Sequence, residues 1–203
     1  MSDPINLRAF GWRGRQEVAP FSYTCGHCGN VVSSEKGYKL GHHQDGSGSQ
    51  VGCLYICPHC GCPTYQDQSG GLVPDAPFGS SVADVPEDIT SLYEEARRCT
   101  SNGSYTACVL LCRKLLMHIG VEKEAEENKP FLYYVGYLAD QGYVPPNGKH
   151  WVDHIRRKGN EANHDIRVMN RDDVKELLVF LEMLLKFIYE FPSMIPDEST
   201  DAG

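Results

Sequence analysis

Cys25-Gly26-His27-Cys28-Gly29 and Cys57-Pro58-His59-Cys60-Gly61 decide how the first third of this 203-residue chain folds. Each is a Cys-x-x-Cys turn closed by glycine. Two residues between the cysteines let both thiolates of a turn reach one ion at about 2.3 Å. The glycine permits the tight turn that aims backbone N–H groups at sulfur. Two such turns, each at a hairpin tip, complete a tetrahedral four-sulfur site. That ligand set favours zinc or iron.

The pair of knuckles resembles a zinc ribbon, with Cys25, Cys28, Cys57 and Cys60 as ligands of a Zn2+ ion. Four thiolates leave no open coordination position of the kind a catalytic zinc needs, so the ion is expected to be structural. Residues 21–66 are rich in Gly, Tyr, Val, Cys and His and poor in large aliphatics. A piece of that size could hardly fold without such a staple. Cys53 and Cys62 are either replacements for a neighbouring ligand or core residues. His27 and His59 sit inside the knuckles, where they cannot easily reach the same ion, and are expected to be exposed. His42 and His43 fall in a Gly/Ser-rich tract, GHHQDGSGSQ (41–50), which has loop composition.

The chain holds nine cysteines, an odd number, and six of them lie between Cys25 and Cys62. Its N-terminus, MSDPINLRAFGWRGRQ, has no apolar run that would serve as an export signal. A disulfide scaffold is therefore a poor explanation, and a reducing, cytoplasmic setting is expected. No stretch reaches the roughly 18 apolar residues of a membrane helix, so no membrane partner is expected.

Outward from the knuckles, residues 1–20 read as an irregular lead-in, 21–66 as the ribbon and 67–85, rich in Gly and Pro, as a linker. From Pro86 the pattern turns helical. Ile89, Leu92, Tyr93 and Ala96 share one helical face. SYTACVLLCRKLLMHIG (104–120) is apolar nearly all round and reads as a central helix. PFLYYVGYLADQG (130–142) and RDDVKELLVFLEMLLKFIYEFP (171–192) add two more helices, the second with Asp172 and Asp173 in its first turn. Tyr133, Tyr134 and Tyr137 are read as core or dimer contacts. Residues 86–192 thus form an all-α bundle, followed by a polar tail, 193–203.

Net charge is −8, with a pI near 5.4, which argues against a general nucleic-acid coat. Residues 1–80 hold five Lys/Arg and six Asp/Glu, so the excess of acid lies in the helical half. Against that background, KHWVDHIRRKGNEANHDI (149–166) is locally basic. If it is one helix, Arg157 and His164, seven apart, face the same way, and Asn160 lies close to that face. Arginine can bind phosphate bidentately, and histidine titrates near neutrality as an acid or base. On composition alone, a solvated helix face with a capping histidine is the leading account of the run.

LYEEARRC (92–99), RKLL (113–116), GNEANH (159–164) and FLEMLLKFIYEFP (180–192) together resemble a bacterial domain family of unknown function in the HEPN superfamily. The resemblance covers Leu92 to Pro192, and Gly-Asn-x-Ala-x-His is its most specific part. It implies a small helical bundle. In many members it implies a metal-independent endoribonuclease that uses an Arg, four to six residues and a His, often across a homodimer interface, in defence or toxin systems. Arg157, six residues and His164 satisfy that pattern; Arg156 is the alternative Arg, and Asn160 is the polar residue between them.

Two functions follow as expectations. One is RNA cleavage through Arg157, His164 and Asn160. The other is a non-enzymatic adaptor, in which the ribbon binds a nucleic acid or a protein and the bundle dimerises. A small-molecule hydrolase has no support, because no serine elbow, phosphate loop or HExxH is present. Glu94-Glu95 and Asp172-Asp173 read as solvated helix faces or partners of a helix dipole.

Overall fold

The computed structural model describes residues 6–144, 152–153, 155 and 169–195. Two compact units divide them: one runs to Pro77 and includes Thr100–Gly103, and the other takes Phe78–Cys99 and the chain from Ser104 onward.

The first unit is an antiparallel meander of five strands, β1 (Gln16–Thr24), β2 (Val31–Gly41), β3 (Gln50–Ile56), β4 (Pro63–Asp67) and β5 (Leu72–Val73), each paired with its sequence neighbour. β1 thus begins inside the stretch that reads as an irregular lead-in, and β5 lies inside the stretch that reads as linker. Between Glu17 and Phe21 the β1–β2 register slips. Pro20 sits there, at the kind of irregularity where a residue without an N–H costs the ladder nothing. The unit's core is built from Val18, Tyr23, Tyr55 and the cysteines, with Phe21 stacked on Tyr23 at 5.6 Å.

The second unit holds four helices among the described residues: α1 (Glu87–Ser101), α2 (Tyr105–Glu122), α3 (Phe131–Asp140) and α4 (Arg171–Leu185). α2 is central. Cys108, Cys112, Leu115, Leu116 and Ile119 are fully buried, as are Ala96 of α1, Val135 and Leu138 of α3, and Leu178, Leu181, Leu184 and Leu185 of α4. Burial of one such aliphatic side chain stabilises by about 1.5–3 kcal/mol, and this closed apolar cluster is what holds four helices of modest length together. α2 is not buried all round, for Ala107 and Leu110 face solvent. Arg113, by contrast, is buried and lies over the Phe131 ring at 4.4 Å. Tyr134 is buried, Tyr137 donates to the Lys123 carbonyl at 2.7 Å, and Tyr133 is more open.

α4 starts on a capping box. The Asn170 side chain accepts from the Asp172 and Asp173 N–H groups, and Asp173 accepts in return from the Asn170 N–H. Asp173 is buried by this role rather than solvated. The helical path past Leu185 widens into a π segment, Lys186–Glu190, ahead of Pro192. Within 149–166, Val152, Asp153 and Ile155 are helical, and Val152 and Ile155 are buried in the bundle core.

Residues 78–85 behave as part of this bundle rather than as linker. The Arg97 guanidinium donates to the Phe78 carbonyl at 3.0 Å, the Gly79 carbonyl at 3.0 Å and Ser81 Oγ at 3.0 Å, while Glu94 accepts from it at 2.7 Å. Glu94 is therefore an ion-pair partner and not merely a solvated acid. Glu182 of α4 accepts from the Ser80 N–H at 3.0 Å and from Lys186 at 2.6 Å. Side-chain forks from two helices thus immobilise a segment whose own composition suggests freedom.

Candidate metal centre

Each knuckle is the turn of a hairpin. Cys25 follows the last residue of β1 and β2 begins at Val31; Cys57 follows β3 and β4 begins at Pro63. Because β2 and β3 run antiparallel, both turns lie at one end of the sheet. They are copies of one local structure. Cys25 N–H donates to the Asn30 carbonyl at 2.9 Å and Gly29 N–H to the Cys25 carbonyl at 2.8 Å; Cys57 N–H donates to the Cys62 carbonyl at 2.9 Å and Gly61 N–H to the Cys57 carbonyl at 2.9 Å. Gly29 and Gly61 take φ of 72° and 74°, the left-handed region that favours glycine.

The two turns bring the four sulfurs of Cys25, Cys28, Cys57 and Cys60 within 4.8 Å of one another. Cys25 Sγ lies 3.8 Å from Cys60 Sγ, and Cys28 Sγ lies 3.9 Å from Cys57 Sγ. A tetrahedron with metal–sulfur bonds of about 2.3 Å has edges of about 3.8 Å. A disulfide needs about 2.05 Å. These four cysteines fit a metal ion and could hold one.

Electrostatics support the fit. Burial pushes the Cys25 thiol up to about 11 and raises Cys60 further. Cys28 goes the other way: burial opposes its ionisation, but the backbone N–H and side-chain amide of Asn30 draw it down to about 6. Four sulfurs at this spacing cannot all be anions without a cation among them. The Tyr23 hydroxyl is buried beside Thr64, whose hydroxyl favours its ionised form. Its pKa is raised first by burial and then by the charges of Cys57, Cys25 and Cys60, so it belongs to the electrostatic surroundings of the cluster.

Cys53 and Cys62 are buried but lie outside the sulfur cluster, so they are core residues. His59 is exposed, as expected, and meets Asn30 Nδ2 at 3.3 Å. His27 is half-buried, with Nε2 2.9 Å from the Pro63 carbonyl. A carbonyl only accepts, so that nitrogen carries the hydrogen. His42 and His43 are exposed in the β2–β3 loop.

Cys spacing gives no hint of what braces the second knuckle. Leu7 N–H donates to the Cys60 carbonyl at 2.7 Å, and Trp12 Nε1 donates to the Gly61 carbonyl at 2.8 Å. A β-carbon on Gly61 would sit 2.6 Å from the Leu7 carbonyl carbon. The only sequence signal is the pairing of an isolated tryptophan with nearby glycines.

A family model described as Domain of unknown function (DUF4145) matches residues 94–198, just over half of the 203-residue chain. The chain belongs to the DUF4145 family. Neither a curated protein nor a solved structure matches it. The DUF4145 match lies in the helical half and does not include the cysteine cluster. Arg156, Arg157, Asn160 and His164 fall within the matched range but lie outside the described residues. No described helix is long and apolar enough to cross a membrane.

Proposed function

We propose that this DUF4145 protein pairs a structural zinc ribbon with a HEPN-like bundle that cleaves RNA without a catalytic metal. The observation that carries the reading is the run Arg157…Asn160…His164, locally basic in an otherwise acidic half of the chain. In sequence it follows Val152 and Ile155, helical residues buried in the bundle core. The metal centre supports the reading indirectly. Its four cysteines fill a tetrahedral ion's coordination and leave it a structural role.

In this mechanism His164 accepts the proton of a ribose 2′-OH. The 2′-oxygen attacks the adjacent phosphorus, the bond to the 5′-oxygen breaks, that oxygen takes a proton from water or from the now protonated His164, and the products are a 2′,3′-cyclic phosphate and a 5′-hydroxyl. Arg157, or Arg156, stabilises the charge that builds on phosphorus, and Asn160 orients His164 or the phosphate. DNA lacks the 2′-OH and is refractory. The test is cleavage of single-stranded RNA in EDTA by wild type, His164→Ala and Arg157→Ala, with zinc content measured afterwards. Cleavage by wild type alone, giving cyclic phosphate ends, supports the mechanism. Equal cleavage by all three, or none by any, overturns it.

A second reading, an adaptor whose bundle forms a homodimer, is favoured by the outer face of α4 and the segment after it. Val179, Phe187 and Phe191 are exposed, the two rings meeting edge-on at 5.3 Å, and Met194 and Ile195 are more exposed still. Light scattering of wild type against Phe187→Glu tests it: a dimer that dissociates in the variant, with no RNA cleavage, favours the adaptor.

A further inference from the structure

The ribbon carries a cleft of about 520 Å³, within the range of ligand pockets, lined in part by Cys57, Pro58 and Gly61 of the second knuckle. Arg8, Arg15 and Lys36 line it, with Glu35 as its carboxylate. These are three of only five Lys/Arg in residues 1–80. All three are exposed, and none of them forms an ion pair with a described residue.

Phe10 and Trp12 complete the wall. Trp12 is accounted for by the knuckle: its indole holds the Gly61 carbonyl and meets the Tyr38 ring edge-on at 6.4 Å. Phe10 is not. Its side chain is 73% exposed, although burying a phenylalanine is favourable. Nor is it on a loose end. Its N–H donates to the Leu7 carbonyl at 2.9 Å, and the chain is pinned to the knuckle on either side of it, at Leu7 and at Trp12. The fold therefore holds a bare aromatic face beside three uncommitted cations, already ordered for a ligand.

We infer that this cleft binds single-stranded nucleic acid, with Arg8, Arg15 and Lys36 on the backbone phosphates and a base stacked on Phe10. A positively charged groove with a stacking ring is the chemistry that takes an unpaired strand. A duplex hides its base faces, and an acidic peptide does not present a ring at every repeat as an unpaired strand does. This site lies on the ribbon, goes beyond the cleavage reading, and stands whether or not the bundle cuts RNA. Because Cys57 and Gly61 line the cleft, an ion held by the four cysteines would fix the turn that Leu7 and Trp12 grip.

The test is fluorescence anisotropy of the full, zinc-loaded chain with a labelled 2′-O-methyl oligouridine. That probe cannot undergo 2′-OH attack, so binding is read without turnover, and failure of cleavage leaves the result intact. Wild type binds it with an affinity that falls as salt rises. Arg8→Ala/Arg15→Ala/Lys36→Ala weakens binding at least about ten-fold and flattens the salt dependence by about two in logarithmic slope. Phe10→Ala weakens it about ten-fold with the salt slope unchanged. Retained zinc in each variant shows that the ribbon still folds. No binding by wild type, or unchanged binding in the triple variant, overturns the inference. So does displacement of the probe by poly-glutamate as readily as by unlabelled RNA, which would make the cleft an acidic-peptide site.

Discussion

The Cys25 and Cys60 sulfurs lie 3.8 Å apart across two different hairpin turns, although 35 positions separate them in the chain. β2 runs away from the first knuckle and β3 returns to the second, so the length between them is absorbed by a hairpin and costs the site nothing. The contact is the diagonal of two equivalent turns, matched by Cys28 and Cys57 at 3.9 Å.

One equivalent of tightly held metal, zinc by elemental analysis, is expected in the purified protein. The double variants Cys25→Ser/Cys60→Ser and Cys28→Ser/Cys57→Ser lose it and lose the ribbon's fold, since structural zinc contributes on the order of 10 kcal/mol. The helix signal in circular dichroism should persist, because the α1–α4 core uses none of these residues. A full complement of metal in either double variant would rule out this ligand set.

Gly29 and Gly61 share a backbone conformation but not their surroundings. Nothing lies within 4 Å of a β-carbon built on Gly29, whereas one on Gly61 meets the Leu7 carbonyl carbon at 2.6 Å. Gly29→Ala is expected to cost only the left-handed strain, about 1–2 kcal/mol. Gly61→Ala should cost visibly more and loosen the 6–12 segment. Competition for zinc with a chromophoric chelator measures both. Equal affinities in the two variants would contradict the bracing role of Leu7.

Arg97 ties residues 78–81 to α1. Arg97→Ala leaves the Phe78 and Gly79 carbonyls without these donors and Glu94 without this partner, a loss of about 3 kcal/mol. Arg97→Lys should recover little of it, for an ammonium cannot span four acceptors as a planar fork does. Chemical denaturation followed by helix signal reads the difference, and a fully stable lysine variant would refute the clamp.

Glu182 supplies a pH dependence. Burial raises its pKa, but Lys186 and Ser80 outweigh that and hold the carboxyl below its ordinary value of 4.5. The group is ionised more readily folded than unfolded. Its contribution is therefore complete above pH 4.5 and lost as pH falls through the lower folded value. Glu182→Gln should be about 1–2 kcal/mol less stable than wild type at neutral pH, with the gap closing on acidification. A gap that stays constant into strong acid would show that the ion pair is not its source.

The sequence by itself picked out the four cysteines that the fold brings together and that could hold a metal ion, because Cys-x-x-Cys-Gly encodes a turn whose geometry is set locally. It also determined the helices around Ile89, Leu115 and Leu181, where apolar period and propensity agree. The extra strand length before Phe21 was not legible, since strand pairing depends on a partner elsewhere in the chain. Residues 78–85 look like linker until Arg97 and Glu182 are placed beside them, and Cys53 and Cys62 were separable from the ligands only once the sulfurs had positions. The cleft at Arg8, Phe10, Arg15 and Lys36 is the clearest case. Its residues are scattered and individually ordinary, and only the folding of the 6–12 segment back onto the second knuckle brings them to one surface. Local chemistry writes the turns and caps; non-local hydrogen bonds decide which loose segments become part of the structure.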